Sequence, residues 1–213
     1  MKFMAYFPFF IDLAEKHCLI IGGGEVAYRK IHTLLEFEVT IHVVALDLSE
    51  KIKRLKENHP LGEYLIINQR EYNEDDFKGV FFVIAATDDI AVNHKIAQIC
   101  KDKNILINAV DQKDDCSFYF SSLIKKGEII AGISSGGNSP VLAKNIRKKI
   151  EECIPDYYND LNKQMGEIRE YVKQRIKTQN ERKKCLEEIF RLGDKRKRKL
   201  TNKEIVDIIQ RYK

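Results

Sequence analysis

The sequence predicts an α/β fold, in which a parallel β-sheet covered by helices is followed by a small β-hairpin region and a helical C-terminal part. Three observations support this prediction. The apolar run 18–21 passes through three glycines directly into a helix-forming segment. Further β-branched runs alternate with helical stretches, which is typical of parallel sheets. After residue 111 the pattern changes to two alternating runs and then to long, charged, helix-like segments.

The stretch CLIIGGGEVAYRK at 18–30 reads as strand, glycine turn and helix. Gly22 permits the tight turn, Gly24 lets the backbone approach a pyrophosphate, and small Ala27 lies where the helix packs on the strand. The free N–H groups of the first helical turn favour bound phosphate. The alternative is a structural turn without a ligand. The cofactor contacts predicted here involve Gly22, Gly24, Glu25, Val26 and Ala27.

The end of the second strand, predicted at 39–45, is where such folds select their coenzyme. An acidic side chain there accepts hydrogen bonds from the ribose hydroxyls of NAD, whereas an arginine would bind the extra phosphate of NADP. Asp47 is acidic and no arginine follows until Arg54, so the sequence favours NAD. Asp47 could equally begin a turn or a helix.

Later strands bring more polar residues to the same sheet edge. Strands are predicted at 65–68, 80–86 and 105–110, with a helix at 90–101 before the last of them. Thr87 and Asp88 follow the fourth strand and are candidates for contacts to the cofactor, because ligands of open α/β sheets bind at the carboxyl ends of the strands. Capping of the next helix is the alternative role for Asp88 and Asp89. The fifth strand delivers Asp111 to this edge.

Beyond Asp111 the runs 117–124 and 128–134 predict an antiparallel hairpin. Its edges need covering, and pairing with a second subunit is one way to cover them. A serine-glycine loop then leads into a helix that begins at Pro140, and such loops bind anions or simply cap the helix. The residues of this loop are Ser134, Ser135, Gly136, Gly137, Asn138 and Ser139.

The two ends of the chain have their own patterns. The apolar lead-in at 3–13 is expected to pack against the sheet. Residues 155–192 are helical in pattern, with a break beginning at Gly193, and the basic run 195–199 is expected to be solvated. A last short helix is expected to start at Thr201.

Composition limits the classes of protein that the sequence can represent. Five scattered cysteines and five scattered histidines show no zinc-ligand spacing, so no structural metal site is predicted and the thiols should be reduced. No apolar run reaches about 18 residues, which argues against a membrane span and for a cytoplasmic protein. The net charge of +5 resides entirely in 151–213, which favours an acidic partner.

Four motifs occur in an order that resembles the precorrin-2 dehydrogenase and sirohydrochlorin ferrochelatase family, which includes the N-terminal part of siroheme synthase. They are GGGEVAYRK at 22–30, AATDD at 85–89, INAVD at 107–111 and GISSGGNSPVLAKNIR at 132–147. The resemblance implies a homodimer that oxidises precorrin-2 to sirohydrochlorin with NAD⁺, and in some members inserts Fe²⁺. It also implies a Rossmann-type NAD-binding domain at 1–113, a dimerisation region at 114–150 and a helical domain at 151–213.

The resemblance further assigns roles to individual residues. Asp111 falls on the catalytic aspartate of the family, where a carboxylate can accept a proton from the oxidised macrocycle; capping of a turn is its structural alternative. The serine-glycine loop would bind the acetate and propionate groups of the substrate, and Ser134 or Ser135 corresponds to a serine that is phosphorylated in fused siroheme synthase. Leu46 and Gly132 depart from the family pattern, which leaves iron insertion open.

A rival hypothesis is a dinucleotide-sensing regulator that binds nucleic acid through the basic C-terminal run. It would bind in a strongly salt-dependent way. The run lacks an evident helix-turn-helix and interleaved aromatic residues, so the sequence favours the enzyme.

Overall fold

The computed structural model describes residues 7–212, and its contacts divide them into two compact units. The first unit comprises residues 7–119 and the second begins at residue 120. The three-part division implied by the family resemblance stays a prediction.

The first unit is a five-stranded parallel sheet with three helices. The strand order is β3-β2-β1-β4-β5, so the chain reverses direction across the sheet between β1 and β4. The strands are β1 (His17–Ile21), β2 (Thr40–Ala45), β3 (Leu65–Gln69), β4 (Phe82–Ala85) and β5 (Leu106–Ala109). The helices are α1 (Glu25–Leu35), α2 (Glu50–Asn58) and α3 (Ile90–Asp102). The predicted α/β fold is confirmed.

The central strands of this sheet are its most buried part. All four residues of β4 are buried, as are residues 18–21 of β1. Central parallel strands are covered on both faces, which is why these two strands are continuous apolar runs rather than alternating ones. Ligands of such sheets bind outside the carboxyl ends of the strands, where the strand order reverses.

The N-terminal lead-in does not pack as predicted. Residues 3–6 of it lie outside the described residues, and within the rest Phe7, Phe9 and Phe10 are between 69% and 80% exposed. In the described part this segment pairs with no strand, and Pro8 lacks the N–H group that a pairing needs. Packing against the sheet is therefore wrong for the part that the structure describes.

The second unit begins with a two-stranded antiparallel hairpin of β6 (Ser122–Lys126) and β7 (Ile129–Ile133). The prediction that its first strand starts at 117 is wrong. Ser117 instead donates its N–H to the Ile107 carbonyl at 2.9 Å, and its hydroxyl accepts the Ile107 N–H at 2.8 Å. Residue 117 is therefore hydrogen-bonded to β5.

Four helices follow the hairpin. They are α4 (Pro140–Glu152), α5 (Tyr157–Arg175), α6 (Gln179–Arg196) and α7 (Asn202–Gln210). Helices α5, α6 and α7 share a buried core that includes Val172, Ile189 and Ile208. The side chain of Thr201 accepts the Glu204 N–H, and the carboxylate of Glu204 accepts the Thr201 N–H, so the predicted start of the last helix is confirmed.

Gly193 does not break the helix that contains it. It lies buried within α6, and a Cβ added to it would be 2.6 Å from Cδ1 of Leu161 on α5. The break predicted at Gly193 is therefore wrong, because this glycine provides space for a neighbouring helix. The helix ends instead where Lys197 takes a left-handed conformation with φ 53°.

The basic run 195–199 is partly neutralised by neighbouring carboxylates. Arg196 and Arg198 both form ion pairs with Glu204, and Lys199 Nζ lies 3.7 Å from a carboxylate oxygen of Asp160. The hydrogen bond from Arg198 is the largest cause that lowers the pKa of Glu204 to about 2. Much of the predicted positive surface is therefore engaged within the second unit.

Candidate functional site

The glycine turn after β1 is fixed by the loops beside it. Gly22 has φ +120°, and a Cβ added there would lie 2.2 Å from the Ala86 carbonyl oxygen. A Cβ at Gly23 would lie 2.0 Å from the carbonyl oxygen of Asp47. By contrast, no protein atom lies within 4 Å of a Cβ added to Gly24. The first two glycines are therefore required by the protein itself, whereas Gly24 faces open space of the kind that a pyrophosphate needs.

Helix α1 begins at this turn and directs its first N–H groups towards the same space. Gly24 is the N-cap without a side chain to cap the helix, and the first intrahelical bond runs from the Tyr28 N–H to the Gly24 carbonyl at 3.0 Å. The N–H groups of Glu25 and Val26 are therefore suited to bind an anion. Ala27 is fully buried, as a small residue at the packing position should be.

The loop after β2 contacts the glycine turn directly. The Ser49 N–H donates to the Gly23 carbonyl at 2.9 Å, and Ser49 is the N-cap of α2. Asp47 is exposed and is not the capping residue. Its carboxylate is therefore free of a capping role and suited to accept hydrogen bonds from a ligand.

The loop after β4 is held by a buried asparagine that sequence reasoning did not identify. Asn93 is 2% exposed, and its side chain accepts the N–H of Thr87 at 3.1 Å and the Thr87 hydroxyl at 2.7 Å. It also donates to the Thr87 carbonyl at 2.9 Å. Asp89 caps α3, which leaves Asp88 exposed beside the loop. The only signal in the sequence is that Asn93 shares the buried face of α3 with Ile96 and Ala97.

We expect Asn93→Ala to lower the free energy of unfolding by about 2 kcal/mol, because three hydrogen bonds to the half-buried Thr87 would be lost. The measurement is urea denaturation followed by circular dichroism. Asn58→Ala is the matched control, since Asn58 is exposed and donates to only one carbonyl, that of Arg54. A loss in the control equal to that in Asn93→Ala would contradict this assignment.

Asp111 follows β5 in an unusual backbone conformation. It is exposed and has φ 58°, a left-handed conformation that few residues other than glycine, asparagine and aspartate adopt. The loop after it is attached to α3 at two points. Gln112 Nε2 donates to the Ile90 carbonyl at 2.7 Å, and His94 Nδ1 lies 2.8 Å from a carboxylate oxygen of Asp115. The Asp111 backbone is thus set by a loop with fixed ends.

Lys30 is a second titratable residue near this loop, and sequence reasoning did not identify it. Burial is the largest cause that lowers its pKa to about 8, and Arg29 lowers it further, while Cys116 acts in the opposite direction. The Cys116 thiol donates to the Ala109 carbonyl at 3.1 Å. Lys30 follows Ala27 by three residues and so lies on the buried side of α1. This spacing is the feature of the sequence that could have identified it.

The serine-glycine loop belongs to the second unit, and its hydroxyl groups organise its backbone. The hydroxyl oxygens of Ser134, Ser135 and Ser139 accept the N–H groups of Gly136, Ser139 and Leu142 at 3.1, 3.0 and 3.2 Å, respectively. Gly136 and Gly137 have φ values of +65° and +80°, and the Asn138 N–H donates to the Ser135 carbonyl. Each serine keeps its own O–H as a donor, so the loop is suited to bind carboxylates at the N-terminus of α4.

The described residues show neither a cluster of metal ligands nor a membrane-spanning helix. Among residues 7–212, no three His, Cys, Asp or Glu side chains are grouped so that they could hold a metal ion. No helix in the same range is both long and apolar enough to cross a membrane. All five cysteines are free, and burial raises the pKa of Cys100 to about 12.

Two family models match the chain. One, described as "Putative NAD(P)-binding", matches residues 9–122, which include the whole five-stranded sheet. The other, described as "Sirohaem biosynthesis protein central", matches residues 132–152, which include the serine-glycine loop and α4.

Curated relatives and a solved structure match over most of the chain. Siroheme synthases from Actinobacillus succinogenes and Photorhabdus laumondii are 38% and 37% identical over 187 residues, which is 88% of this chain. The chain spans about two fifths of the length of these relatives, 38% and 39% respectively. The structure of "SirC, precorrin-2 dehydrogenase" shares the fold, with a TM-score of 0.78 and 24% identity over 97% of this chain and 98% of that one.

Proposed function

The chain belongs to the NAD(P)-binding family whose model spans residues 9–122, and we propose that it uses NAD⁺ to oxidise precorrin-2 to sirohydrochlorin. The family resemblance that the four motifs indicate is confirmed by this match and by the siroheme synthase relatives. The substrate is inferred from those relatives and from the precorrin-2 dehydrogenase with the same fold. The five free cysteines support the cytoplasm as the proposed location.

The observation that carries the proposal is the position of Asp111 relative to the glycine turn. Strand β4 pairs with both β1 and β5, so the glycine turn and Asp111 follow strands two positions apart, or ~10 Å, at one edge of the sheet. The Ala86 N–H donates to the Ile21 carbonyl, and the Val110 N–H donates to that of Ala85, which ties the three strand ends together. A coenzyme on the turn and a carboxylate beyond β5 can thus face one substrate.

The residues at this edge fit a dinucleotide and a proton acceptor. Gly24 and the first turn of α1 would bind the pyrophosphate, and Asp47 would bind the ribose hydroxyls. NAD⁺, when bound, would accept a hydride from the substrate. Loss of that hydride leaves positive charge on the macrocycle, which must also lose a proton. Asp111 is the proposed base that stabilises this charge and accepts the proton.

The substrate would be held through its acidic side chains. Acetate and propionate groups need hydrogen-bond donors and positive charge. The hydroxyl groups of Ser134 and Ser135 and the N-terminus of α4, capped by Ser139, are the proposed donors, because each hydroxyl retains its proton for an external acceptor.

The test is to mix the purified chain with precorrin-2 and NAD⁺ under anaerobic conditions. We expect NADH absorbance to rise in step with the absorption spectrum of sirohydrochlorin. Omission of either reactant is the control. Absence of NADH formation at substrate concentrations that saturate related dehydrogenases would contradict the proposed reaction.

We also propose that the chain forms a homodimer through its second unit. Helix α4 exposes an apolar face, on which Val141 and Leu142 are 71% and 53% exposed and Ile146 and Ile150 are 37% and 38% exposed. A second copy of the chain would cover this face, and this support is independent of the relatives.

We expect Leu142→Glu to convert the dimer into a monomer, because a charge would be buried in the apolar contact without a partner. Size-exclusion chromatography with light scattering measures the change as a halving of the mass. Lys144→Glu on the same helix is the control, since it introduces the same side chain at a charged, exposed position on the opposite side of the helix from Leu142. A dimer that survives Leu142→Glu would exclude this face as the interface.

A further inference from the structure

An ion pair links the first turns of α1 and α2. Lys51 Nζ lies 2.8 Å from Oε2 of Glu25, and both side chains remain more than half exposed. The same Nζ atom lies 5.5 Å from the centre of the Tyr28 ring, which is close enough for a cation–π contact. Two side chains of α1 therefore hold Lys51 towards that helix.

This ion pair is positioned beside the adenosine end of the expected coenzyme site. Glu25 directly follows Gly24, the glycine that faces open space. Lys51 comes four residues after Asp47, and the Ser49 N–H between them bonds to the glycine turn. The end of β2 is where such folds distinguish NAD from NADP. A cation in the first turn of α2 can therefore affect which of the two coenzymes binds.

Lys51 also has room to move away from Glu25. It lines a groove of about 320 Å³ between α1 and α2, together with Tyr28 and Arg54. Within residues 7–212 the guanidinium of Arg54 forms no ion pair, yet it lies about one helical turn farther from the end of β2. Lys51 is therefore the nearer cation for an anionic group at that strand end.

We propose that Glu25 sets the preference for NAD over NADP by holding Lys51 away from the end of β2. The 2′-phosphate of NADP, whose charge near neutral pH is about −2, needs a cation there. While Lys51 is bonded to Glu25, its charge is partly offset and its ammonium group is held on the side of α1, and Asp47 adds negative charge that repels the phosphate. This inference rests on the proposed coenzyme site but not on the tetrapyrrole substrate.

The test compares coenzyme affinities without any substrate. Dissociation constants for NADH and NADPH are measured from the fluorescence of the reduced nicotinamide, and their ratio, NADPH over NADH, is compared among variants. Glu25→Gln releases Lys51, which can then contact the 2′-phosphate of NADPH. We therefore expect the ratio to fall about fivefold or more, because NADPH gains a charged hydrogen bond that NADH does not. In the double variant Glu25→Gln, Lys51→Met, we expect the ratio to return to its original value.

Glu50→Gln is the matched control. It removes a carboxylate from the first turn of α2, where Glu50 bonds to Lys53 at 2.7 Å, but it does not release Lys51. We expect the ratio to change less than about twofold in this variant. An unchanged ratio in Glu25→Gln, an equal fall in Glu50→Gln, or a fall that persists in the double variant would overturn the inference.

The outcomes also separate this inference from the proposed function. If the unaltered chain binds NADH and Glu25→Gln leaves the ratio unchanged, the inference fails and the coenzyme site stands. If the unaltered chain binds neither reduced coenzyme, both fail.

Discussion

Asp111→Asn is expected to lower kcat for precorrin-2 oxidation by about 10²–10⁴-fold, the usual contribution of a general base. Asparagine keeps the size of the side chain and tolerates the left-handed backbone at φ 58°. The substitution therefore removes the charge and the proton acceptor without adding backbone strain. The rate is measured from NADH absorbance at saturating coenzyme and substrate, and urea denaturation verifies that the fold is retained.

Asp114→Asn is the matched control for this experiment. Asp114 is an exposed carboxylate in the same loop, three residues after Asp111, and we expect its replacement to change the rate less than about twofold. If Asp111→Asn kept more than a tenth of the original rate, or if the control lost as much, Asp111 would not be the base.

Gly24→Ala is expected to weaken NADH binding about 100-fold, a loss of about 2.7 kcal/mol, while the free energy of unfolding falls by no more than about 1 kcal/mol, because alanine is a poorer N-cap than glycine. The added methyl group meets no protein atom within 4 Å, and Gly24 has φ −83°, which alanine adopts without strain. It would instead occupy the space that faces the pyrophosphate. Fluorescence titration with NADH and urea denaturation measure the two quantities separately.

Gly22→Ala, by contrast, should mainly lower the stability of the protein. Its methyl group would lie 2.2 Å from the Ala86 carbonyl oxygen at φ +120°, so we expect a loss of stability of about 3 kcal/mol or more. Gly166→Ala on the exposed side of α5 is the control for a methyl group that meets nothing, and should not destabilise the protein. Equal effects of the substitutions at Gly22 and Gly24 on stability would show that the space beside Gly24 is not open.

Most of the fold was predictable because its signals are local. Apolar strands followed by turn residues and amphipathic helices gave all five parallel strands and the hairpin, and the glycine spacing located the turn after β1. The order of the strands was not predicted, because the rule that crossovers are right-handed limits the possible topologies without fixing which strands are neighbours. The roles of Asp47, Asp88, Asp111 and the serine-glycine loop stay predictions, since side-chain roles towards a ligand need the ligand itself.

The errors arise where the role of a residue depends on a contact outside its own helix or strand. Glycine usually ends helices, but Gly193 is explained only by the position of Leu161 on another helix. The sequence does not distinguish Asn93 from other polar helix residues, yet its side chain forms three hydrogen bonds with Thr87. Ser117 alternates with its neighbours as a hairpin strand would, yet it pairs with Ile107. Thr87 and Asn93 are six residues apart and Ile107 and Ser117 are ten apart, yet no local pattern indicates that the members of either pair are hydrogen-bonded.

The tight contacts of the glycine turn have a consequence for the thermodynamics of coenzyme exchange. Gly22 and Gly23 lie against the carbonyl groups of Ala86 and Asp47, and the turn is hydrogen-bonded to Val44 and Ser49, so its conformation is set by protein contacts before any ligand binds. A preformed turn loses little conformational entropy when the coenzyme binds, so little of the binding free energy is lost in ordering it. Coenzyme turnover can then proceed at the intrinsic dissociation rate, without a gating motion of the turn.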